Sequence, residues 1–177
     1  MRSLEELINI YNNSVGANAT FLLNIPPTNE GLLHDNDVKR LSELGAYLKQ
    51  AFSENLLENA VLTADGKNIP AVKSDDYADY FIADKGRMTA EITARWDKPV
   101  IIGNIVLKEN ILCGQRVESF TVEAEEDGKF AELYSGTVIG YKRIVPLKNV
   151  RTKAVKVKIT DSRTEPTLAF LGIYNGK

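Results

Sequence analysis

The hydrophobic period of this chain changes near residue 55, and that change limits what it can fold into. Up to about Phe52 apolar residues recur at helical spacing around one short apolar run; beyond it they alternate with polar residues. Ser3-Leu4-Glu5-Glu6 is a capping box, in which the Ser3 hydroxyl accepts from the Glu6 N–H while the Glu6 side chain reaches back. Leu4, Leu7, Ile8, Tyr11 and Val15 then form a stripe at i, i+3, i+4, i+7 and i+11, and Gly16 is a suitable stop. Ala19-Thr20-Phe21-Leu22-Leu23-Asn24-Ile25, closed by Pro26-Pro27, reads as a strand buried on both faces in a parallel sheet. A second helix is expected from Asp35-Asn36-Asp37, with acidic residues at its positive end and Val38, Leu41, Leu44, Leu48 and Phe52 along one face. His34 at that start reads as a surface histidine.

A helix–strand–helix unit of this kind is incomplete by itself, because its apolar strand needs parallel neighbours and a helical layer on each side. The remainder of such an α/β domain is expected upstream. Deprived of those neighbours, Leu22, Leu23, Leu41, Leu44 and Leu48 would form an exposed apolar patch. Residues 1–53 are therefore expected to self-associate between copies or to fold back on the rest of the chain.

Beyond residue 55 the chain reads as β. Met88–Trp96 places Ala90, Ile92, Ala94 and Trp96 on one face, which makes Trp96 a core residue. Ser119–Glu125 and Ala154–Thr160 alternate in the same way, and Pro99–Ile102 and Ile105–Leu107 read as further short strands. Asp65-Gly66, Asp84-Lys85-Gly86 and Asp127-Gly128 are turn signals. Short alternating strands without a long helix among them argue an antiparallel sandwich. Residues 54–70 are expected to hold the linker and a first strand.

Composition removes several functions. Twenty-two Lys and Arg against 24 Asp and Glu leave a net charge of −2, without the cationic excess that holds a nucleic-acid backbone. No apolar run approaches the ~20 residues of a membrane span. One His and one Cys, Cys113, exclude a disulfide scaffold, zinc sites built from four Cys or from paired Cys and His, and most His-based triads.

Two groups of residues carry a family resemblance. The first is Ser14-Val15-Gly16-Ala17-Asn18-Ala19-Thr20-Phe21-Leu22-Leu23-Asn24-Ile25-Pro26-Pro27, then Glu30-Gly31-Leu32-Leu33-His34 and Asp37-Val38. It resembles the last strand and helix of the catalytic barrel of the α-L-fucosidases of glycoside hydrolase family 29, with Ala17 where Arg is usual. The second is Val106–Ile111, Gly114–Val117, Thr137–Ile144 and Pro166-Thr167-Leu168. It is similar to the C-terminal sandwich of those enzymes. The resemblance implies a mainly β fold: a galactose-binding-like (discoidin/type C) jelly-roll β-sandwich over 54–177, preceded over 1–53 by a helix–strand–helix remnant of a (β/α)8 glycosidase barrel.

Such enzymes are retaining glycosidases, with two carboxylates ~5–5.5 Å apart. The family's nucleophile and fucose-gripping residues lie on earlier barrel strands, so no catalytic residue is expected in this chain. Asn24 would stand at the active-site periphery of the parent, because barrel sites form at the C-terminal ends of strands. The resemblance implies a parent that releases terminal α-L-fucose from glycans and is periplasmic or secreted. The expected partner is the upstream barrel, which the sandwich would support. The alternative is a carbohydrate-binding module that holds the parent on glycans. Its candidate residues are Tyr77, Tyr80, Gln115, Arg116, Tyr141 and Arg143, a set of aromatic rings and hydroxyl-binding groups; packing or barrel contact is the competing role for each. No cofactor and no metal are expected. Asp75, Asp76 and Asp79 could contribute to a calcium site of the kind this sandwich group holds, but Phe170 stands where a Glu is common.

Overall fold

The computed structural model describes residues 2–69 and 71–176. Helix α1, Leu4–Ser14, begins at the expected capping box: the Ser3 N–H donates to Glu6 Oε2 at 2.7 Å and the Glu6 N–H to Ser3 Oγ at 3.2 Å. Helix α2, Asp35–Ala51, is capped by His34, whose Nδ1 accepts from the Asn36 N–H. That is the surface role expected of it. Gly16 follows α1 for a reason beyond stopping it. Its carbonyl accepts from the Ile144 N–H, and a Cβ at Gly16 would lie 2.7 Å from the Ile144 Cβ, so only glycine lets the chain pass this close.

One expected element is absent. Residues 20–27 belong to no helix and no strand, and Leu22 is 90% exposed. The helix–strand–helix expectation is corrected to helix, irregular segment without a strand, helix. The physical reason is that an apolar run becomes a strand only where a neighbour supplies the ladder, and the described residues offer it none. The patch expected from residues 1–53 is also narrower: Leu44 is 8% exposed, and the exposed apolar residues are Leu22, Leu32, Leu33 and Val38.

The rest is mainly β and antiparallel. The strands are β1 (Val61–Ala64), β2 (Lys67–Asn68), β3 (Phe81–Ile82), β4 (Ala90–Lys108), β5 (Val117–Glu126), β6 (Lys129–Gly136), β7 (Arg143–Ser162), β8 (Thr167–Leu168) and β9 (Phe170–Asn175). Neighbours run β2-β1-β4-β7-β5-β6, with β9 also on β4, and β3 pairs with β8. Both Asp-Gly hairpins have two-residue loops with positive φ at each position, 49° and 81° at Asp65-Gly66 and 49° and 79° at Asp127-Gly128. This is the twist-compatible turn that Asp-Gly favours.

The separate strands expected at 99–102 and 105–107 are one strand with the 90–96 run. The β4–β7 register shifts between Arg95 and Val100 and again between Ile102 and Asn104. The second shift moves the core-facing set from Ala90, Ile92, Ala94, Trp96 and Ile102 to Ile105 and Leu107. These residues join Phe120, Val122, Val145, Val155, Val157, Ile159, Leu168, Leu171 and Ile173 in the main core. Trp96 is 5% exposed, as expected, and its indole N–H donates to the Leu56 carbonyl at 2.8 Å.

Beyond the second shift the sheet is buried on its outer side as well. Val106, Ile144 and Phe170 form a second cluster with Tyr11 of α1, Phe52 just after α2, and Tyr174. The Phe52 and Tyr174 rings meet edge to face, with centroids 5.3 Å apart. The β structure therefore has a helical layer on part of one face. A continuous apolar run such as Ile105-Val106-Leu107 is what a strand covered on both sides requires.

Candidate functional site

Four connections converge at one end of the β structure: residues 74–80, 109–116, 137–142 and 163–166. The residue that ties two of them to the start of β5 is Glu109, directly after β4 and fully buried. Its Oε1 accepts from the N–H groups of Arg116 (2.8 Å) and Val117 (2.9 Å), and its Oε2 from that of Gly140 (2.6 Å). Asn110 continues the work. Its N–H donates to Thr167 Oγ1, its Nδ2 to the Tyr77 carbonyl, and its Oδ1 accepts from the Leu112 N–H. The two residues hold the loop end by satisfying backbone groups that would otherwise be buried without partners.

The six carbohydrate candidates fall in two places here. Tyr77 and Tyr141 share surroundings with Lys108, whose ammonium lies 5.9 Å from the Tyr141 ring centroid and pairs with Asp75 Oδ2 at 2.7 Å. Burial pushes the Tyr77 phenol up, and the Lys108 charge opposes this. Tyr80 lies instead beside Cys113, whose thiol donates to its hydroxyl at 3.7 Å. That contact raises the Tyr80 pKa.

Both arginines are committed to structure. The Arg116 guanidinium donates to the Glu165 carbonyl at 2.8 Å and to the Cys113 carbonyl. Arg143 Nε donates to the Val138 carbonyl at 3.0 Å. Gln115 is exposed and its side chain has no hydrogen bond among the described residues. The set thus falls into separate places: Tyr77 and Tyr141 both lie near Lys108, and Tyr80 lies beside Cys113.

The carboxylates at this end are also engaged. Glu165 accepts from the Gly86 N–H at 2.7 Å and from the Thr164 hydroxyl at 2.6 Å, and these bonds, the hydroxyl's foremost, lower its pKa to about 2. Asp75 serves Lys108, and Asp76 Oδ1 accepts from the Ala78 N–H in a local turn. Glu109, Glu165 and Asp75 each have a hydrogen-bond or ion-pair partner within the chain. No group of three or more His, Cys, Asp or Glu close enough to hold a metal occurs among the described residues. Asn24 is exposed in the irregular segment, apart from this loop end.

A second place where elements meet is the seam between the helices and the β structure. Asn18 stitches it with φ at 66°: its N–H and Oδ1 bond the carbonyl and N–H of Lys142, and its Nδ2 donates to the Ile139 carbonyl at 3.0 Å. Asn55 does the same at the linker, where its Oδ1 accepts from the N–H groups of Leu57 and Ile173, both at 3.1 Å. Sequence reasoning does not assign these roles, nor those of Glu109 and Asn110. A polar residue inside a recognisable motif, as each of Asn18, Glu109 and Asn110 is, is the available signal.

Along this seam a cleft of about 420 Å³ is lined by Tyr11, Phe52, Asp75, Lys108, Lys142 and Tyr174 among others. Lys142 is half-buried there, and burial first and Lys108 second lower its pKa.

These features define a class: an antiparallel β domain whose outer face carries a short helical unit, with a stapled loop end. Comparison with known proteins goes further. Residues 1–52 match the alpha-L-fucosidase family. The chain is 31% identical over 185 residues to alpha-L-fucosidase 1 of Arabidopsis thaliana, covering 97% of this chain and 36% of that protein. A Ruminococcus gnavus GH29 fucosidase, solved in complex with fucose, superposes with a TM-score of 0.90 at 28% identity, covering 99% of this chain and 37% of that one. The chain is thus related to the GH29 α-L-fucosidases and spans about a third of their length. A further likeness is one of fold alone. The CBM32-1 and CBM32-2 domains of Clostridium perfringens ZmpB, in complex with GalNAc, superpose over 68% of this chain with a TM-score of 0.58 and 17% identity.

Proposed function

We propose that this chain is the C-terminal part of a retaining α-L-fucosidase. On this reading residues 1–53 close its (β/α)8 barrel, with residues 19–25 forming a strand only where the rest of the barrel supplies the ladder. Residues 54–177 are a galactose-binding-like, discoidin-type sandwich that supports the barrel and has no catalytic role of its own. The parent releases terminal α-linked L-fucose from glycans.

The observation that carries this is the apolar seam. Tyr11 and Phe52 pack onto Val106, Ile144, Phe170 and Tyr174, so the helical unit is docked on the sandwich and not tethered beside it. The unpaired apolar segment at 20–27 adds support: Leu22 and Leu23 have the composition of a barrel strand and lack only ladder partners. The likeness to GH29 structures extends over both parts of the chain.

The carbohydrate-binding reading at the loop end has less to support it, because the Arg116 guanidinium and the Arg143 Nε–H donate to backbone carbonyls. Turnover of an aryl α-L-fucoside tests the function. None is expected from the 177-residue chain, and turnover is expected from a longer polypeptide in which the barrel is complete. An inactive but well-folded longer polypeptide would overturn the proposal.

A further inference from the structure

The C-terminal end of α2 and residues of β4, β7 and β9 line a cleft that neither the loop end nor the supporting role uses. Tyr47 and Gln50 line it from α2, Asn104 from β4, Leu147 and Asn149 from β7, and Asn175 from the end of β9, around a volume of about 150 Å³. Four side-chain amides therefore converge from four segments of the chain. None of them makes a hydrogen bond with another described residue. By contrast, Asn18, Asn55 and Asn110, at other junctions of the molecule, each bond two or more groups.

The chemistry of the lining selects the ligand. Among the described residues no charged side chain lines the cleft, unlike the neighbouring one with Lys108, Lys142 and Asp75, so they offer an anion or a free amine no counter-charge. Hard cations take oxygen ligands, but without one carboxylate among them the site is a poor cage. A wholly apolar ligand would leave the amides desolvated and unpaired. An amide offers an acceptor and two donors side by side, the match for adjacent hydroxyls that each donate and accept. Tyr47 and Leu147 supply apolar surface for the C–H face of a ring. The volume is well below the ~300–1,000 Å³ of drug-sized pockets, which limits the occupant to about one ring.

We infer that this cleft binds a neutral pyranose, as a free monosaccharide or a single residue of a glycan. It lies at the seam, away from Tyr77, Tyr80, Gln115, Arg116 and Tyr141, and it stands whether or not the parent is a fucosidase.

The test is titration of the ¹⁵N-labelled 177-residue chain with L-fucose, D-galactose and N-acetyl-D-glucosamine, with D-glucuronate and adenosine as comparators, read as amide shifts. Saturable shifts at Gln50, Asn104 and Asn149 with at least one neutral sugar are expected. Gln50→Ala with Asn104→Ala should weaken that sugar about tenfold, since each removes one or two hydrogen bonds. Should the pair fail to fold, Gln50→Ala alone, at an exposed helical position, should still weaken it several-fold. Tyr141→Ala at the loop end should leave it unchanged. Shifts with adenosine or glucuronate but no neutral sugar, no saturable shift at all, or a loss caused by Tyr141→Ala and not by the amide variants would each overturn the inference.

Discussion

Glu109 is a buried carboxylate with no cation bonded to it among the described residues; three backbone N–H groups stand where a counter-ion would otherwise be. Hydrogen bonds to a charged acceptor are worth more than neutral ones, and each buried N–H deprived of its acceptor costs ~1–3 kcal/mol. Glu109→Ala is therefore expected to destabilise the fold by about 3–5 kcal/mol in urea denaturation, by leaving three donors unsatisfied. Glu109→Gln should cost less, because it keeps the shape and one acceptor. A loss below ~1 kcal/mol for the alanine variant would show that water replaces the carboxylate readily. Glu165 makes a different prediction, in pH. Its folded pKa of about 2 lies below the ordinary carboxylate value, so its contribution is present above the unfolded pKa and is lost as pH falls through the folded one. In melts of the wild type and Glu165→Gln, the wild type should hold its advantage at about pH 6, lose it progressively below about pH 4.5, and keep only a small part of it near about pH 2. An advantage independent of pH would contradict the role of Glu165 in holding the Gly86 turn.

The helices and the sandwich meet as elements through few side chains, and this makes their coupling measurable. Phe52→Ala removes a half-buried ring from the seam and is expected to cost about 2 kcal/mol. Gly16→Ala forces a Cβ against Ile144. In both variants the amides of α1 should exchange faster while those at the centre of β4 and β7 keep their protection, because the main core is untouched. Equal loss in both places would mean that the seam and the core unfold as one. The helices, the alternating strands and the Asp-Gly hairpins are legible in the sequence because each is a local pattern. The parity switch near Gly103 is not, since a register shift shows only when the partner strand is known. Strand β9 escapes sequence reading because Phe170-Leu171-Gly172-Ile173 is buried on both faces and so does not alternate. Residues 19–25 have a composition that is right for a strand, but pairing is a property of the neighbours. At the site, sequence supplies Tyr77, Tyr80, Gln115, Arg116, Tyr141 and Arg143 as chemically suitable groups. It does not show that the Arg116 guanidinium and the Arg143 Nε–H bond backbone carbonyls, or that Gln50 and Asn104 converge with Asn149 and Asn175 at a seam.

For the whole molecule, the exposed apolar residues and the missing partners of residues 20–27 belong to one account. Leu22 is 90% exposed, Leu32 63%, Leu33 47% and Val38 45%, a concentration of apolar surface on one unit that favours association. Concentration-dependent self-association is expected in sedimentation, reduced by Leu22→Ser with Leu33→Ser; a monomer at all concentrations would contradict it. The seam, the unpaired apolar segment and the likeness across the whole chain to structures of which it spans about a third all support the proposed role within a larger fucosidase. The most direct measurement is aryl α-L-fucoside turnover, compared between the 177-residue chain and a longer polypeptide that adds the rest of the barrel upstream. The expected result is no turnover by the chain and turnover with retention by the longer polypeptide. Turnover by the 177 residues alone, or none by a folded longer polypeptide, would contradict it.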